Sequence, residues 1–313
     1  AYIKASNSGA NDQFGYSVAV FQDIIVVGAP GESSNEITIT NGSSSSTNNS
    51  SSASGAVYVY KRTNGNWSQQ AYIKNSYTSW QIANSRFGAS VDLNHSTLVV
   101  GAPGDSSGFE GSLFLFSSNV DDEWGKNARL QAINLGDSLI PGFNDTKELG
   151  KTVSISNSGN YIVSSTGTSW NTDQVRVFHD PDGAAGSDPW SVQATISPTN
   201  NTPYITNDRF GESVSISSDG GYLVIGSTLE DSNQSTITQG SSSSSNNSLQ
   251  NTGAAYVYKR SGTTWDQVAY IKAANNESGN SQETFFGDSV AIVGTDNSSS
   301  ASGAVYVYKR TNG

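Results

Sequence analysis

The chain repeats itself, and this repetition constrains its fold more than any other feature of the sequence. A Phe-Gly pair followed by Ser-Val, or a close variant of it, recurs at positions 14, 87, 149, 210 and 286. The period is therefore about 60 to 76 residues. Such a period is typical of proteins built from small supersecondary units that bury their cores against one another. The sequence predicts five such repeats.

Each repeat has the pattern of four short strands. In the first repeat, residues 14–20 alternate apolar and small side chains, 24–27 are continuously apolar, and 56–60 alternate again. A fourth strand follows Trp67. Alternation predicts a strand with one buried face, whereas a continuous apolar run predicts burial on both faces. The sequence thus predicts an all-β fold, a β-propeller of four-stranded antiparallel blades. The predicted blades cover approximately residues 5–74, 75–132, 133–197, 198–272 and 273–313 of a single domain, 1–313.

The two ends of the chain suggest how the predicted ring closes. Residues 1–4 repeat the fourth-strand sequence of 71–74, and the last repeat ends after its third strand. We expect the N-terminal strand to complete the last blade, because this removes a fraying edge.

The last repeat is shorter than the others. Residues 290–292 lead directly into 293–295, so most of the second strand is missing. Either the last blade is reduced, or residues of a longer chain are omitted or misassigned here, and the pattern favours the second alternative. Residues 49–65 return letter for letter as 297–313. The Ser- and Asn-rich tract before the third strand, 43–54 in the first repeat, has too little apolar content to pack, and we expect a loop there.

A second marker completes the motif in the first two repeats. Gly-Ala-Pro stands at 28–30 and at 101–103, in both cases fourteen residues after the Phe of Phe-Gly. These residues resemble the FG-GAP repeat of integrin α-subunit propellers and of large bacterial surface proteins. Weaker copies at 165–167 and 226–228 extend the resemblance over the whole chain. The resemblance implies a propeller fold and a secreted, extracellular or cell-surface location.

Composition limits the partners that we expect. The 313 residues carry a net charge of −11, and this acidity disfavours nucleic acid and anionic membranes. No apolar run reaches ~18 residues, so we expect no membrane insertion. The absence of Cys excludes disulfides, thiolate zinc sites and Cys nucleophiles. The expected partners are a protein or glycan ligand at the cell surface or in extracellular matrix, other copies of the chain, or further parts of a longer chain.

Residues suited to catalysis are scarce in the sequence. His95 and His179 fall in different repeats, and neither has a nucleophile and an orienting acid nearby in the pattern. Glycoside hydrolysis requires two converging carboxyl groups. Asp92 is the one acid on the predicted inner strands. We therefore expect that the protein is not an enzyme.

Calcium is the one cofactor that the sequence suggests. Integrin-type propellers hold Ca²⁺ in loops of alternating Asp residues, and the corresponding loops here lack that alternation, so the family's calcium residues cannot be carried over. The nearest substitute is Asp180 with Asp182, Gly183 and Asp188 after a third strand. Carboxylates and a turn Gly suit a Ca²⁺ loop. An acidic turn shaped by Pro181 and Gly183 is the alternative.

Two groups of residues are candidates for ligand binding. One is a set of acids at similar places after the second strand of their repeats: Glu32, Asp105, Glu230, Asp231 and Asp296. These acids would either form a rim that faces a ligand or cation, or be solvated loop residues. The other is Trp80 and Trp170, which do not fit the blade pattern and would stack on a sugar or a partner if exposed.

Together these features predict a non-catalytic binding, adhesion or assembly module of a secreted or surface protein. A carbohydrate-binding lectin is the alternative, and a glycoside hydrolase or lyase is less favoured.

Overall fold

A computed structural model describes residues 1–75, 83–105, 111–131, 148–166, 174–181, 190–199, 208–274, 284–293 and 304–308. Within those ranges the protein is all-β, without a helix, as the sequence predicts. Its residues group into two compact units, one formed mainly by Ala1–Val153 and the other by Ser154–Asp182 and Trp190–Gly313. None of the described residues forms a helix that could cross a membrane. The single domain and the blade boundaries stay predictions.

Repeat 1 forms an antiparallel sheet of five strands. Its hydrogen-bonding order is β1-β2-β4-β5-β3. The strands are Ser17–Phe21 (β1), Ile24–Ala29 (β2), Ile39–Asn41 (β3), Ala56–Thr63 (β4) and Asn66–Ile73 (β5). The four predicted strands are present in the predicted order. β3 is an addition that pairs with the end of β5, Ile39 lying opposite Ile73.

Repeats 2 and 3 each form a four-stranded antiparallel sheet with sequential order. The strands of repeat 2 are Ser90–Leu93 (β6), Leu98–Ala102 (β7), Ser112–Ser118 (β8) and Trp124–Gln131 (β9). Those of repeat 3 are Leu149–Ile155 (β10), Tyr161–Thr166 (β11), Gln174–His179 (β12) and Ser191–Ile196 (β13). β7 is buried along its whole length, as its continuous apolar run predicts.

Repeat 4 copies the five-stranded sheet of repeat 1, and repeat 5 is reduced. The strands of repeat 4 are Phe210–Ile216 (β14), Tyr222–Ser227 (β15), Ile237–Gln239 (β16), Ala254–Ser261 (β17) and Thr264–Ile271 (β18), in the order β14-β15-β17-β18-β16. In repeat 5, Ser289–Val293 (β19) pairs directly with Ala304–Tyr308 (β20). This direct pairing agrees with the missing second strand in the sequence.

Neighbouring repeats bury their sheet faces against each other within each unit. Val57, Val59 and Ile73 of repeat 1 share one buried cluster with Val91 and Leu93 of repeat 2. Equivalent clusters join repeat 3 to repeat 4 and repeat 4 to repeat 5. An isolated repeat would expose these faces, which is why the repeats stabilise one another.

Residues 1–4, which we expect to complete the last blade, carry no strand here. Repeat 1 itself engages this segment. Tyr60 donates a hydrogen bond of 3.0 Å to the backbone carbonyl of Lys4. Ile3 packs against the cluster that contains Tyr58 and Tyr72. The number of blades and the closure of a ring stay predictions.

The Ser- and Asn-rich tract of repeat 1 packs through hydrogen bonds rather than apolar contacts. Asn48 accepts bonds from the backbone and the hydroxyl of Ser50, at 2.8 and 2.7 Å. The hydroxyl of Ser54 is buried and bonds the carbonyl oxygen of Ser34 at 2.7 Å. Hydrogen bonds of polar side chains thus order this loop, which has too few apolar residues to pack.

Candidate functional site

The motif glycines bring neighbouring repeats into backbone contact. We call this contact the seam, and define it by the Gly of Gly-Ala-Pro in one repeat and the Gly of Phe-Gly in the next. A Cβ on Gly28 would lie 2.1 Å from the carbonyl oxygen of Gly88. At Gly101 the distance to Gly150 O would also be 2.1 Å. Since no side chain fits at such distances, these positions require glycine.

Serines on β1, β6 and β14 fasten the seams that follow repeats 1, 2 and 4. Ser17 donates a hydrogen bond of 2.8 Å to the carbonyl oxygen of Gly88. The same bond joins Ser90 to Gly150 and Ser213 to Gly287, at 2.7 Å in both cases. The glycines that directly precede β4, β8 and β17 contribute parallel bridges to the next repeat, Gly55 to Phe87, Gly111 to Leu149 and Gly253 to Phe286. The Phe-Gly and Gly-Ala-Pro residues therefore dock one sheet onto the next.

The predicted acidic rim is not found at Glu32, whose side chain is buried. Glu32 forms an ion pair with Lys74 at 2.5 Å, and both side chains are 1% exposed. Lys74 also donates to Ser54 Oγ at 2.9 Å. Ser34 bonds both Glu32 and the hydroxyl of Tyr72, which completes a buried polar network. Buried charges are stable only when paired and hydrogen-bonded in this way.

Repeat 4 contains the same network. Lys272 pairs with Glu230 and donates to Thr252 Oγ1 at 2.7 Å. Ser232 bonds Glu230 and, at 2.7 Å, Tyr270. Burial lowers the pKa of both lysines, although the neighbouring glutamate raises it. The recurrence of the network in two repeats indicates a structural role for these glutamates.

The remaining candidate acids have separate surroundings. Asp105 is buried and accepts a bond of 3.1 Å from the Asn75 side chain. Asp231 is partly exposed and accepts a bond of 2.7 Å from the backbone of Asn251. Asp296 lies outside the described residues. Burial of Glu32, Asp105 and Glu230 does not fit an accessible rim, and ligand binding by Asp231 or Asp296 stays a prediction.

The structure does not describe most of the predicted calcium loop, including Asp182 and Asp188. The two candidate tryptophans, Trp80 and Trp170, also lie outside the described residues. Asp180 is described and fully buried, and its backbone NH donates to Asn160 O at 3.0 Å. Across the described ranges, no three His, Asp or Glu residues converge on a point that would suit a metal. The calcium site stays a prediction.

Both histidines make ring contacts within the protein. His179 stacks on Tyr161 with ring centroids 4.6 Å apart, and His95 meets the edge of Phe21 at 6.4 Å. These contacts give the histidines packing roles.

Sequence reasoning missed a cleft of about 370 Å³ on repeat 1. It is lined by residues 1–4 together with Tyr60, Gly65, Asn66, Trp67 and Gln69. Tyr2 is 88% exposed, and Arg62 lies 5.6 Å from the ring of Trp67. Aromatic rings beside side-chain amides can stack on a sugar and bond its hydroxyls. In the sequence, Trp67 marks only the start of the fourth strand, and nothing there indicates a cleft.

Comparison with known proteins supports the repeat assignment. Residues 1–60 and 67–116 match the FG-GAP repeat family. No curated protein is significantly similar to the sequence. Among solved structures, the chain is similar to a putative 6-phosphogluconolactonase from Bacteroides uniformis, with a TM-score of 0.46 and 10% identity. The match covers 83% of this chain and 57% of that one, so this chain spans little more than half of its length. That similarity is too low to support an argument about fold or activity.

Proposed function

Residues 1–60 and 67–116 are FG-GAP repeats, and on this premise we propose that the chain is a non-catalytic extracellular module for adhesion or assembly. The observation that carries the proposal is the use of the motif residues. Gly28, Gly88 and Ser17 form the seam, while Glu32 and Lys74 neutralise each other in the interior. A scaffold of docked sheets leaves binding to its loops and outer faces.

The proposal includes the finer architecture. Each repeat is a propeller blade, five in number, and the module belongs to a secreted or surface protein. Its partners are a protein or glycan ligand at the cell surface or in extracellular matrix. Catalysis is not expected, since the histidines pack on Phe21 and Tyr161 rather than on a nucleophile.

Glycan binding is the second candidate, and the cleft beside Trp67 favours it. Tyr2 and Trp67 offer rings, while Asn66 and Gln69 offer amide groups at the same cleft. A glycan there would bind by stacking and hydrogen bonding, without a metal.

The experiment that tests the proposal measures binding of the purified chain to immobilised matrix proteins and to a glycan array, with and without EDTA. Adhesion predicts retention on at least one protein surface. Glycan binding predicts an array signal that Tyr2→Ala abolishes and that Tyr222→Ala, a partly exposed tyrosine of repeat 4, leaves unchanged. Turnover of any polysaccharide, or no retention on either surface, would contradict the proposed function.

A further inference from the structure

The side chain of Asn7 reaches the buried ion pair of Lys74 and Glu32 in repeat 1. Glu32 accepts a hydrogen bond of 2.5 Å from Lys74 Nζ at Oε2, and one of 3.2 Å from Asn7 Nδ2 at Oε1. The amine and the side-chain amide therefore bind the two oxygens of one carboxylate and are neighbours. A primary amine, a carboxamide and a carboxylate in such contact are the two reactants and the proton carrier of a transamidation.

The carbonyl group of Asn7 is fixed and polarised. Tyr58 donates a hydrogen bond of 2.5 Å to Asn7 Oδ1, and Asn7 Nδ2 also donates to the backbone carbonyl of Ser46. Tyr58 is fully buried, and burial raises its pKa, so that its hydroxyl keeps the proton. A fixed donor at this position stabilises the negative charge that develops on a carbonyl oxygen when a nucleophile attacks the carbon.

The surroundings of Lys74 favour its neutral, nucleophilic form. The side chains of Lys74 and Glu32 are both 1% exposed. Burial lowers the pKa of Lys74, although Glu32 raises it. The rings of Tyr58 and Tyr72, whose hydroxyls join the same network, lie with their centroids 5.3 Å apart. Desolvation of this kind activates a lysine amine and excludes water as a competing nucleophile.

We propose that Lys74 and Asn7 condense into an isopeptide bond, with Glu32 carrying protons from the amine to the leaving nitrogen. The bond joins Lys74 Nζ to Asn7 Cγ. It ties the segment before β1 to the residue that follows β5, and so closes repeat 1 covalently. The chain has no Cys for disulfides. An amide link constrains the unfolded chain as a disulfide does, and reductants do not remove it.

The atoms of this reaction balance without an oxidant or a further reactant. The Lys74 ammonium gives one proton to Glu32, and the neutral amine attacks Cγ of Asn7. The bond from Cγ to Nδ2 breaks as Nδ2 takes that proton and a second one, which Nζ loses as the amide forms. Nδ2 leaves as ammonium, and Glu32 is again a carboxylate.

Mass spectrometry of the intact, folded chain is the first test. The mass is expected to be lower than the 32.9 kDa of the sequence by one ammonia, about 17 Da. Ring closure of Asn7 onto the backbone nitrogen of Ser8 would remove the same mass, so the site of the loss must be mapped. A folded chain that keeps the full mass of its sequence would overturn the proposal.

Tryptic peptides identify the bond. Trypsin cuts after Lys and Arg, but not after an acylated lysine. The expected product is therefore the peptide 5–61 joined to the peptide 63–86, with Lys74 uncut. A free peptide 63–74 together with a lighter peptide 5–61 would assign the loss to Asn7 alone and overturn the proposal.

Variants separate the reactants from the fold. Lys74→Arg keeps a positive charge but cannot attack, because a guanidinium stays protonated, and it is expected to restore the full mass. Lys272→Arg, at the equivalent buried lysine of repeat 4, is the matched control and is expected to keep the linked peptides. A mass loss that survives Lys74→Arg would contradict the bond.

A second pair of variants covers the case in which Lys74→Arg does not fold. Asn7 is only partly buried, so Asn7→Ala is expected to fold and to show the full mass of its sequence. Asn66→Ala removes an exposed amide of the same repeat and is expected to keep the loss of one ammonia. Linked peptides in Asn7→Ala, or their absence in Asn66→Ala, would refute the assignment to Asn7.

Discussion

Lys74 and Glu32, which are 42 positions apart in the sequence, form an ion pair of 2.5 Å in the interior of repeat 1. Removing one partner leaves the other charge buried and unpaired. Lys74→Met is therefore expected to lower the free energy of unfolding by about 3–5 kcal/mol. Chemical denaturation followed by tryptophan fluorescence measures this loss.

The control for this prediction is a surface pair that joins repeats 1 and 2. Lys61 pairs with Asp122, and both side chains are substantially exposed. Lys61→Met is expected to cost about 1 kcal/mol or less, because exposed pairs are screened by solvent. Equal losses in the two variants would show that Lys74 and Glu32 do not form a buried pair.

Alkaline pH is expected to destabilise the protein through its buried tyrosines. Burial raises the pKa of Tyr60 to about 12. Burial also raises the pKa values of five other tyrosines above 10: Tyr58, Tyr72, Tyr256, Tyr258 and Tyr270. In the unfolded chain these groups ionise near pH 10. Their contribution to stability is therefore complete below pH 10 and is lost as the pH rises above it.

The two buried lysines act in the opposite direction at alkaline pH. Burial lowers the pKa of Lys74 and of Lys272 from 10.5, so their contribution to stability rises with pH up to about 10.5. Above pH 10.5 the lysines are neutral in the folded and the unfolded chain, so only the tyrosine effect remains. Absorbance at 295 nm should show part of the 14 tyrosines un-ionised at pH 11 until denaturant is added. Ionisation of all tyrosines near pH 10 in the folded protein would refute this expectation.

The seam serine of repeat 2 contributes a hydrogen bond that can be tested alone. Ser90 donates to Gly150 O at 2.7 Å and is buried. Ser90→Ala is expected to cost about 1–2 kcal/mol, because the buried carbonyl loses its donor. Ser68→Ala, at an exposed position of β5, is expected to change stability by less than about 0.5 kcal/mol. Thermal unfolding measures the stability of both variants. Equal stability of Ser90→Ala and Ser68→Ala would argue against the hydrogen bond from Ser90 to Gly150.

The main strands could be predicted from the sequence because their patterns have direct physical causes. β7 is continuously apolar since both faces are buried, and the repeated Phe-Gly marks a backbone with positive φ, as at Gly88. The missing second strand of the last repeat was also visible after Ile292, although the sequence favoured omitted residues over a reduced blade. β19 accordingly pairs directly with β20.

Other features depend on contacts that are distant in sequence. β3 has only three residues, and its pairing with Ile73 rather than its own pattern makes it a strand. Glu32 has the sequence context of a solvated loop acid, yet Lys74 reaches it across 42 positions. Residues 1–4 have a strand sequence but bond to Tyr60 instead. In each case the conformation depends on a contacting residue that is distant in sequence, and a single sequence does not reveal that contact.

The motif glycines dock neighbouring sheets, and Gly28→Ala removes the space that this contact needs. The new Cβ would lie 2.1 Å from Gly88 O and 2.2 Å from Ser17 Oγ, so the backbones of two repeats must separate. We expect a loss of about 3 kcal/mol or more in equilibrium urea unfolding. Gly125→Ala, where a Cβ meets nothing within 4 Å, is expected to be neutral or stabilising. If Gly28→Ala is as stable as Gly125→Ala, the two sheets are not in contact at the seam and the account is contradicted.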